Sequence, residues 1–277
     1  MVRTRCTQTM VMAVCILMLI GSRASGQTGA GSASSIWAGP WTVDVAPYLW
    51  LPVPSGNVTI GDHTAHLSHD LGDTLDLLFD GNFSVIGGMG RVEARKGHLL
   101  FTTNVVYLHV DEQEKFNALG VKTEVPFNYL NTEFGVGYRL GTWALPSSVR
   151  PSVSVDALAG GRYVSLQPGI TVTGPRGREV DVERDVDWLE AYVGGRGLLT
   201  LAERFTFGVQ GDIGGFGAGS QFTWNAEGVF LYRVAHFVSL GLGYRALDTD
   251  YRRGSGAAKF TFDMLIHGPL LGAVFQF

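Results

Sequence analysis

The chain has 277 residues, of which 21 are basic and 25 acidic, and its formal net charge is −4. This slight excess of acids argues against a nucleic-acid partner. About 250 residues could form one large β domain or two smaller ones, and the 38 glycines, the charged fraction of 17% and the absence of any run of about 20 apolar residues favour a single membrane-spanning β-barrel.

Residues 1–26 have the pattern of a secretory signal peptide. Two arginines precede an apolar run that begins at Met10, and small residues follow that run. A basic start, a short apolar run and small residues, in this order, are typical of a cleaved signal. Cleavage near Gln27 would remove both cysteines of the chain, so the mature protein would have no thiol and no disulfide. Residues 27–40 would then form a periplasmic segment ahead of a barrel.

Residues 41–277 contain ten segments in which apolar residues alternate with small or polar ones, which is the period of a β-strand. The predicted strands are Trp41–Leu51, Phe83–Arg95, His98–Val110, Phe127–Arg139, Arg150–Val164, Val186–Leu198, Arg204–Gly214, Gln221–Tyr232, Phe237–Asp250 and Phe260–Phe277. Connections after odd-numbered strands are mostly long, and those after even-numbered strands are short. Transmembrane barrels have short periplasmic turns and longer external loops, so we expect both termini on the periplasmic side of a Gram-negative outer membrane.

The fourth of these strands shows the alternation most clearly. Phe134, Val136 and Tyr138 would face lipid, while small and charged residues take the other face. A soluble barrel would bury its apolar residues inside instead. The sequence therefore predicts an all-β fold, a transmembrane antiparallel up-and-down barrel of about ten strands. Eight or twelve strands are the alternatives, because Asn57–Ile60 and Thr64–Ser68 could form a further hairpin.

The inward face carries charges of both signs. Four strands contain a Gly-x-Arg pattern in which the glycine and the arginine share the inward face. The predicted luminal network consists of Asp44, Arg91, Glu93, Glu133, Arg139, Asp156, Arg162, Glu190, Arg196, Asp212, Glu227 and Arg245. Ten strands enclose a narrow lumen, where an unpaired charge is costly, so these groups should form ion pairs. Two interpretations stay open: the pairs fill the barrel, or a narrow path for ions or small solutes passes between them.

The first long connection contains three histidines at a spacing of three residues, His63, His66 and His69. Imidazoles can bind metals, but a helix would bring these three together only approximately and an extended chain would separate them. No cysteine or carboxylate spacing of a known metal site accompanies them. We therefore expect a solvated loop without a metal. The following segment, Ser68–Phe79, has the pattern of a short capped helix with leucines on one side.

Catalysis finds little support in the sequence. A barrel hydrolase needs a nucleophile with a base, or acid pairs with an Asp-His pair, at its outer rim. His109 lies near the outer end of its strand but on the lipid-facing side of the alternation, and Asp212 belongs to the inward set. We therefore expect no enzyme and no cofactor. The three roles to be compared are a structural or surface-interaction barrel, a narrow channel and, least supported, a lipid- or peptide-hydrolysing enzyme.

The last predicted strand ends on an aromatic residue, Phe277, which shares its face with Phe275 and Ala273. An apolar last strand needs the first strand as a partner, and a barrel supplies that pairing. We expect the insertion machinery of the outer membrane to recognise this ending. The other expected partners are outer-membrane lipid and lipopolysaccharide, and the expected assembly state is a monomer.

Four segments of the sequence carry a resemblance: PYLWLP at residues 47–52, GDIGGFGAGS at 211–220, GYR at 243–245 and HGPLLG at 267–272. As a set they resemble a family of uncharacterised Gram-negative outer-membrane β-barrel proteins. The resemblance spans nearly the whole mature chain. It implies the barrel fold and the outer-membrane location, and it brings no substrate and no catalytic residues.

Overall fold

The computed structural model describes residues 37–61, 63–68, 70–72, 74–75, 84–114, 122–146, 151–173, 179–183, 185–201 and 204–277. The predicted signal peptide, residues 1–26, and most of the segment 27–40 lie outside these described residues. Within them, no helix is both long enough and apolar enough to cross a membrane.

Thirteen strands, joined in one sheet, make up most of the described chain. They are β1 (Trp41–Trp50), β2 (Val53–Ile60), β3 (His63–Ser68), β4 (Ser84–Lys96), β5 (Leu99–Glu114), β6 (Lys122–Ala144), β7 (Ser152–Thr173), β8 (Glu179–Glu183), β9 (Val186–Leu201), β10 (Phe205–Gly214), β11 (Phe222–Ala235), β12 (Val238–Arg253) and β13 (Phe260–Gln276). A 3-10 turn, Gly256–Ala258, precedes β13. Residues 71–72 and 74–75 are helical, within the segment predicted as a short helix.

Ten of the strands close into a barrel. They follow one another in the order β1, β4, β5, β6, β7, β9, β10, β11, β12 and β13, and β13 pairs again with β1. All of these pairings are antiparallel. The predicted ten-stranded antiparallel barrel is therefore confirmed. Several strands are longer than predicted, since β6 begins at Lys122 and β7 continues to Thr173.

The other three strands lengthen the wall without widening the barrel. β2 pairs with the first half of β13, and β3 folds back on β2. The second half of β13 pairs with β1, so β2 continues the line of β1 after a break at Leu51 and Pro52. This hairpin is the one that the sequence offered as a further pair of strands. β8 pairs with the far end of β7.

The strands and connections at one end of the barrel differ in length from those at the other. We call the end that carries Trp41 and Phe277 the terminal mouth, and the opposite end the distal end. The connections at the terminal mouth are short: residues 97–98, 145–151, 202–204 and 236–237. At the distal end the strand register sets Gly160 of β7 level with the end of β10 at Gly214, so β7 continues to Thr173 beyond that level.

Outward side chains form an apolar belt around the barrel. On β6, Phe134, Val136 and Tyr138 are 47%, 52% and 41% exposed, whereas the inward Glu133 is 7% exposed. Large exposed apolar residues continue on the neighbouring strands, among them Phe101, Leu189, Val193, Phe207, Val209, Phe230, Leu242 and Leu271. Such a surface is costly in water and suits hydrocarbon, as the alternation in the sequence predicts.

Inward side chains form three layers along the barrel axis. A cavity of about 450 Å³, the vestibule, lies at the terminal mouth. Arginines and carboxylates occupy the middle of the lumen. The apolar layer, toward the distal end, is made of Trp50, Val106, Tyr129, Val164, Leu166, Val186, Trp188, Leu247, Tyr251, Phe260, Phe262 and Met264.

The seam between β1 and β13 gives the first testable prediction. A Cβ at Gly268 would overlap the carbonyl oxygen of Leu51, which is backbone and cannot swing away. Gly268→Ala should therefore lower the free energy of unfolding by about 1–3 kcal/mol, the usual cost of overpacking. Gly228→Ala is the matched control, because nothing lies within 4 Å of the added methyl group. Urea unfolding in lipid vesicles measures both, and equal stability of the two variants would contradict this account of the seam.

Candidate functional site

Asp156 on β7 forms salt bridges with three arginines next to the vestibule. Arg139 on β6 and Arg196 on β9 are its direct neighbours across the sheet. The Nε of Arg139, the Nη2 of Arg196 and the Nη2 of Arg95 lie 2.7, 2.9 and 3.0 Å from its carboxylate oxygens. Strand register thus supplies two of the three cations, and the third comes from β4 across the lumen.

Two further ion pairs cross the lumen from β4. Arg196 Nη1 lies 2.7 Å from Glu93, and Arg91 makes a two-pronged contact with Glu227 on β11 at 2.8 and 2.7 Å. In the order of the wall, β4 is four strands away from both β9 and β11. These pairs therefore bridge the interior, and fork-shaped contacts of this kind are among the stronger hydrogen bonds in proteins.

Arg162 is the centre of the most deeply buried part of the network. Glu133 on β6 and Glu190 on β9 are its direct neighbours across the sheet, and Asp212 reaches it from β10. The Nε, Nη1 and Nη2 atoms lie 3.0, 2.9 and 2.7 Å from these three carboxylates, and the side chain is 1% exposed. Removing a guanidinium from water is costly, and here each of its nitrogens has an anionic partner that offsets the cost.

Arg245 ties the opposite wall to this cluster. Its side chain is completely buried, its Nη2 lies 2.6 Å from Glu133, and its Nε donates to Asn225 at 2.9 Å. The guanidinium carbon lies 5.3 Å from the centre of the Trp50 ring, a cation–π distance. Glu133 therefore serves two arginines, one from β7 and one from β12.

Neutral side chains satisfy further carboxylate oxygens in the same layer. The donors are Asn104 to Glu133 at 3.1 Å, Asn225 to Asp212 at 2.8 Å, Thr223 to Glu190 at 3.1 Å and Trp188 to Glu190 at 3.2 Å. Hydrogen-bond geometry therefore orients the carboxylates of the network in addition to the attraction between opposite charges, because each of these bonds constrains the orientation of a carboxylate.

Glycines make room for these large side chains. A Cβ at Gly160 would come within 2.7 Å of the Tyr192 ring, so the ring can lie over β7 only because this residue is glycine. The guanidinium of Arg162 lies 5.3 Å from the centre of that ring. Gly194 leaves space for Asp212 in the same way, since a Cβ there would lie 2.6 Å from the Asp212 Cβ. Gly160 and Gly194 therefore leave space for two side chains, Tyr192 and Asp212, that lie against Arg162.

The apolar layer covers the network on its distal side. Trp188 stacks on Tyr251 with ring centres 4.2 Å apart, and Phe262 packs against the same tryptophan. Val58 and Ile60 of the β2–β3 hairpin pack against the layer. The hairpin therefore helps to close the lumen from the distal end.

The vestibule lies on the other side of the network. Six arginines and three carboxylates contribute to its lining: Arg91, Arg95, Arg139, Arg196, Arg204, Arg233, Asp44, Glu93 and Glu227. Apolar side chains and inward glycines of β9 to β13 make up much of the remaining wall. The cavity is therefore positively charged and has an apolar side.

The structure brings eleven of the twelve luminal residues named from the sequence into ion pairs. Asp44 is the exception: in the described residues it forms no salt bridge, and its Oδ1 has no hydrogen-bond partner. Its neighbour across the sheet is Glu93, whose carboxylate is bound to Arg196. Sequence reasoning missed Arg95, although it shares the inward face of β4 with Arg91 and Glu93 and alternation could have identified it.

Of the three histidines of the first connection, His63 and His66 belong to β3, and His69 lies outside the described residues. No group of three metal-ligating side chains occurs in the described part of the chain. His109 bonds to the side chain of Asn128 and belongs to the outward series of β5.

No protein-family model and no curated protein matches the sequence. Among solved structures, the chain is similar to the translocator domain of the autotransporter NalP from Neisseria meningitidis, at 12% identity over 84% of this chain and 88% of that chain, with a TM-score of 0.34. It is also similar to the P. putida toluene transporter TodX, at 8% identity over 88% and 91% of the two chains, with a TM-score of 0.33. A third is OmpT, an outer membrane protein of Vibrio cholerae, at 10% identity over 88% and 100%, with a TM-score of 0.25. At scores this low, the architecture is established by the strand pairing of the chain itself.

The buried network gives a second testable prediction. Arg162→Met would leave the carboxylates of Glu133, Glu190 and Asp212 short of a cation, so we expect a loss of about 3–5 kcal/mol in the free energy of unfolding. Arg252→Met is the matched control, because its 2.7 Å pair with Asp250 is 61% exposed on the arginine side. Exposed pairs are worth less than about 1 kcal/mol. Denaturant titration of both variants in the same vesicles measures their free energies of unfolding. An equally small loss in the two variants would show that the luminal ion pairs are not desolvated.

Proposed function

We propose that this protein is a closed barrel of the Gram-negative outer membrane, with a structural or surface-interaction role and a lumen that does not conduct. Its apolar outer belt supports the location, because outer-membrane barrels present such a belt to lipid. Short connections at the terminal mouth support a periplasmic position for both termini. Membrane lipid and lipopolysaccharide are then its immediate surroundings, and a monomer is the proposed state.

The single observation that carries the proposal is the burial of inward side chains across the middle of the lumen. Arg162 is 1% exposed, Arg245 and Val106 are 0% exposed, and Leu247 is 2% exposed. A water-filled path would leave exposed surface on the side chains that line it. Ten strands also enclose a lumen far narrower than that of the 16- to 18-stranded porins.

A closed lumen moves the functional surfaces to the two ends of the molecule. β6 and β7 have 23 and 22 residues, whereas a transmembrane strand needs only about 9–11. About half of each strand therefore projects past the hydrocarbon on the distal side, together with β8. In the proposed orientation this projecting sheet faces the cell exterior, which suits a role in surface interaction. The proposal includes no catalytic step.

Conductance of the purified protein in a planar bilayer tests the proposal. We expect no steady single-channel steps, because moving an ion through the lumen would require breaking several buried ion pairs. An open porin inserted in the same bilayer is the positive control, and heat-modifiable migration on a denaturing gel verifies that the barrel is folded.

The narrow channel is the outcome that would contradict the proposal. In that case single-channel steps would appear, and Glu133→Gln would change their ion preference, because a fixed charge beside a path acts on the permeant ion at close range. Steps that Glu133→Gln leaves unchanged would point to a conducting contaminant, to be removed before the protein is tested again.

A further inference from the structure

Two arginines face each other at the rim of the vestibule without an acidic partner. Arg204 immediately precedes β10 and Arg233 lies on β11, and the Arg233 amide donates to the Arg204 carbonyl at 2.8 Å. The register of the two strands places them side by side, next to the pair formed by Phe205 and Tyr232. Both contribute to the vestibule lining, and neither forms a salt bridge in the described part of the chain.

Like charges directly opposite each other on neighbouring strands are unfavourable unless an anion lies between them. The carboxylates of the vestibule do not supply that anion. Glu93 is bound to Arg196 and Glu227 to Arg91, both at 2.7 Å, and within the described residues Asp44 forms no salt bridge with either rim arginine. The two rim guanidiniums therefore keep their hydrogen-bond donors available.

An apolar slot leads inward from this pair. Leu231 and Val229 occupy the next two inward positions of β11, and Leu198 lies on the adjoining part of the wall, on β9. Between them on β10 lie Thr206 and Gly208, which also line the vestibule, and a Cβ placed at Gly208 would lie 3.2 Å from a terminal carbon of Leu198. A larger residue at position 208 would therefore extend into the space between Val229 and Leu198.

We propose that the vestibule binds a small organic carboxylate with an apolar body. The carboxylate lies between Arg204 and Arg233, and the apolar part lies along Leu231, Val229 and Leu198. Guanidinium groups match the planar geometry of a carboxylate, and a cavity of about 450 Å³ is within the range of small-molecule sites. The inference concerns the terminal mouth alone and does not depend on whether the lumen conducts.

Fluorine NMR on the protein in nanodiscs of zwitterionic lipid tests the proposal, with 4-(trifluoromethyl)benzoate as the probe. We expect saturable line broadening that empty nanodiscs do not produce and that added octanoate reverses. The neutral 4-(trifluoromethyl)benzyl alcohol should show no saturable broadening, because it lacks the charge. Acetate should displace the probe weakly, because it lacks the apolar body.

Variants separate the two halves of the site. Arg204→Gln and Arg233→Gln should each weaken probe binding roughly threefold to tenfold, since each loses a charge-assisted contact at a partly solvated position. Arg252→Gln, at the distal end, should leave binding unchanged. Gly208→Leu should abolish binding by filling the slot while the charges stay in place. Heat-modifiable migration verifies that every variant is folded.

Three results would overturn the proposal. The first is the absence of saturable broadening with the folded protein. The second is equal broadening by the neutral alcohol, or equal binding by the rim variants and Arg252→Gln, which would show that the arginines do not hold the anion. The third is complete displacement of the probe by phosphatidylglycerol added to the nanodiscs, because the rim would then be a site for lipid headgroups.

Discussion

The cost of removing guanidinium groups from water is the constraint on which this structure depends. Arg162 and Arg245 lie in the middle of a narrow barrel with almost no exposure. Arg162 has three carboxylates at hydrogen-bond distance, each from a different strand, and Arg245 has one, Glu133, which it shares with Arg162. The register of the five strands that carry these groups is thereby fixed, because a shift of one residue on any of them would turn its charged side chain toward lipid.

Much of the fold could be predicted from the sequence, because successive residues of a membrane-barrel strand alternate between an apolar outer face and a more polar inner face. Phe134 and Glu133 reveal opposite faces by their chemistry alone. The apolar layer could not be predicted in this way: near the distal ends of the strands Trp188 and Phe262 point inward but are as apolar as residues that point outward. Alternation distinguishes faces only where their polarity differs.

The candidate site divides along a similar line. Direct neighbours across the sheet, such as Arg139 and Asp156, follow from strand register and could be predicted from the sequence. Contacts across the lumen could not be predicted, because the pairing of Arg91 with Glu227 depends on the curvature of the closed wall. The rim arginines, Arg204 and Arg233, are also direct neighbours across the sheet, but strand register does not show which side chains line the cavity beside them. Nothing in the sequence shows that Arg204 and Arg233 face an apolar slot.

The central claim is that the network and the apolar layer together seal the lumen, and thiol accessibility tests it most directly. Residues 41–277 contain no cysteine, so single cysteines can be introduced on either side of the network. With the folded protein in nanodiscs, Val229→Cys in the vestibule should react readily with a charged maleimide, and Val164→Cys in the apolar layer should stay unmodified until the protein is unfolded. Equal rates at both positions in the folded barrel would contradict the account.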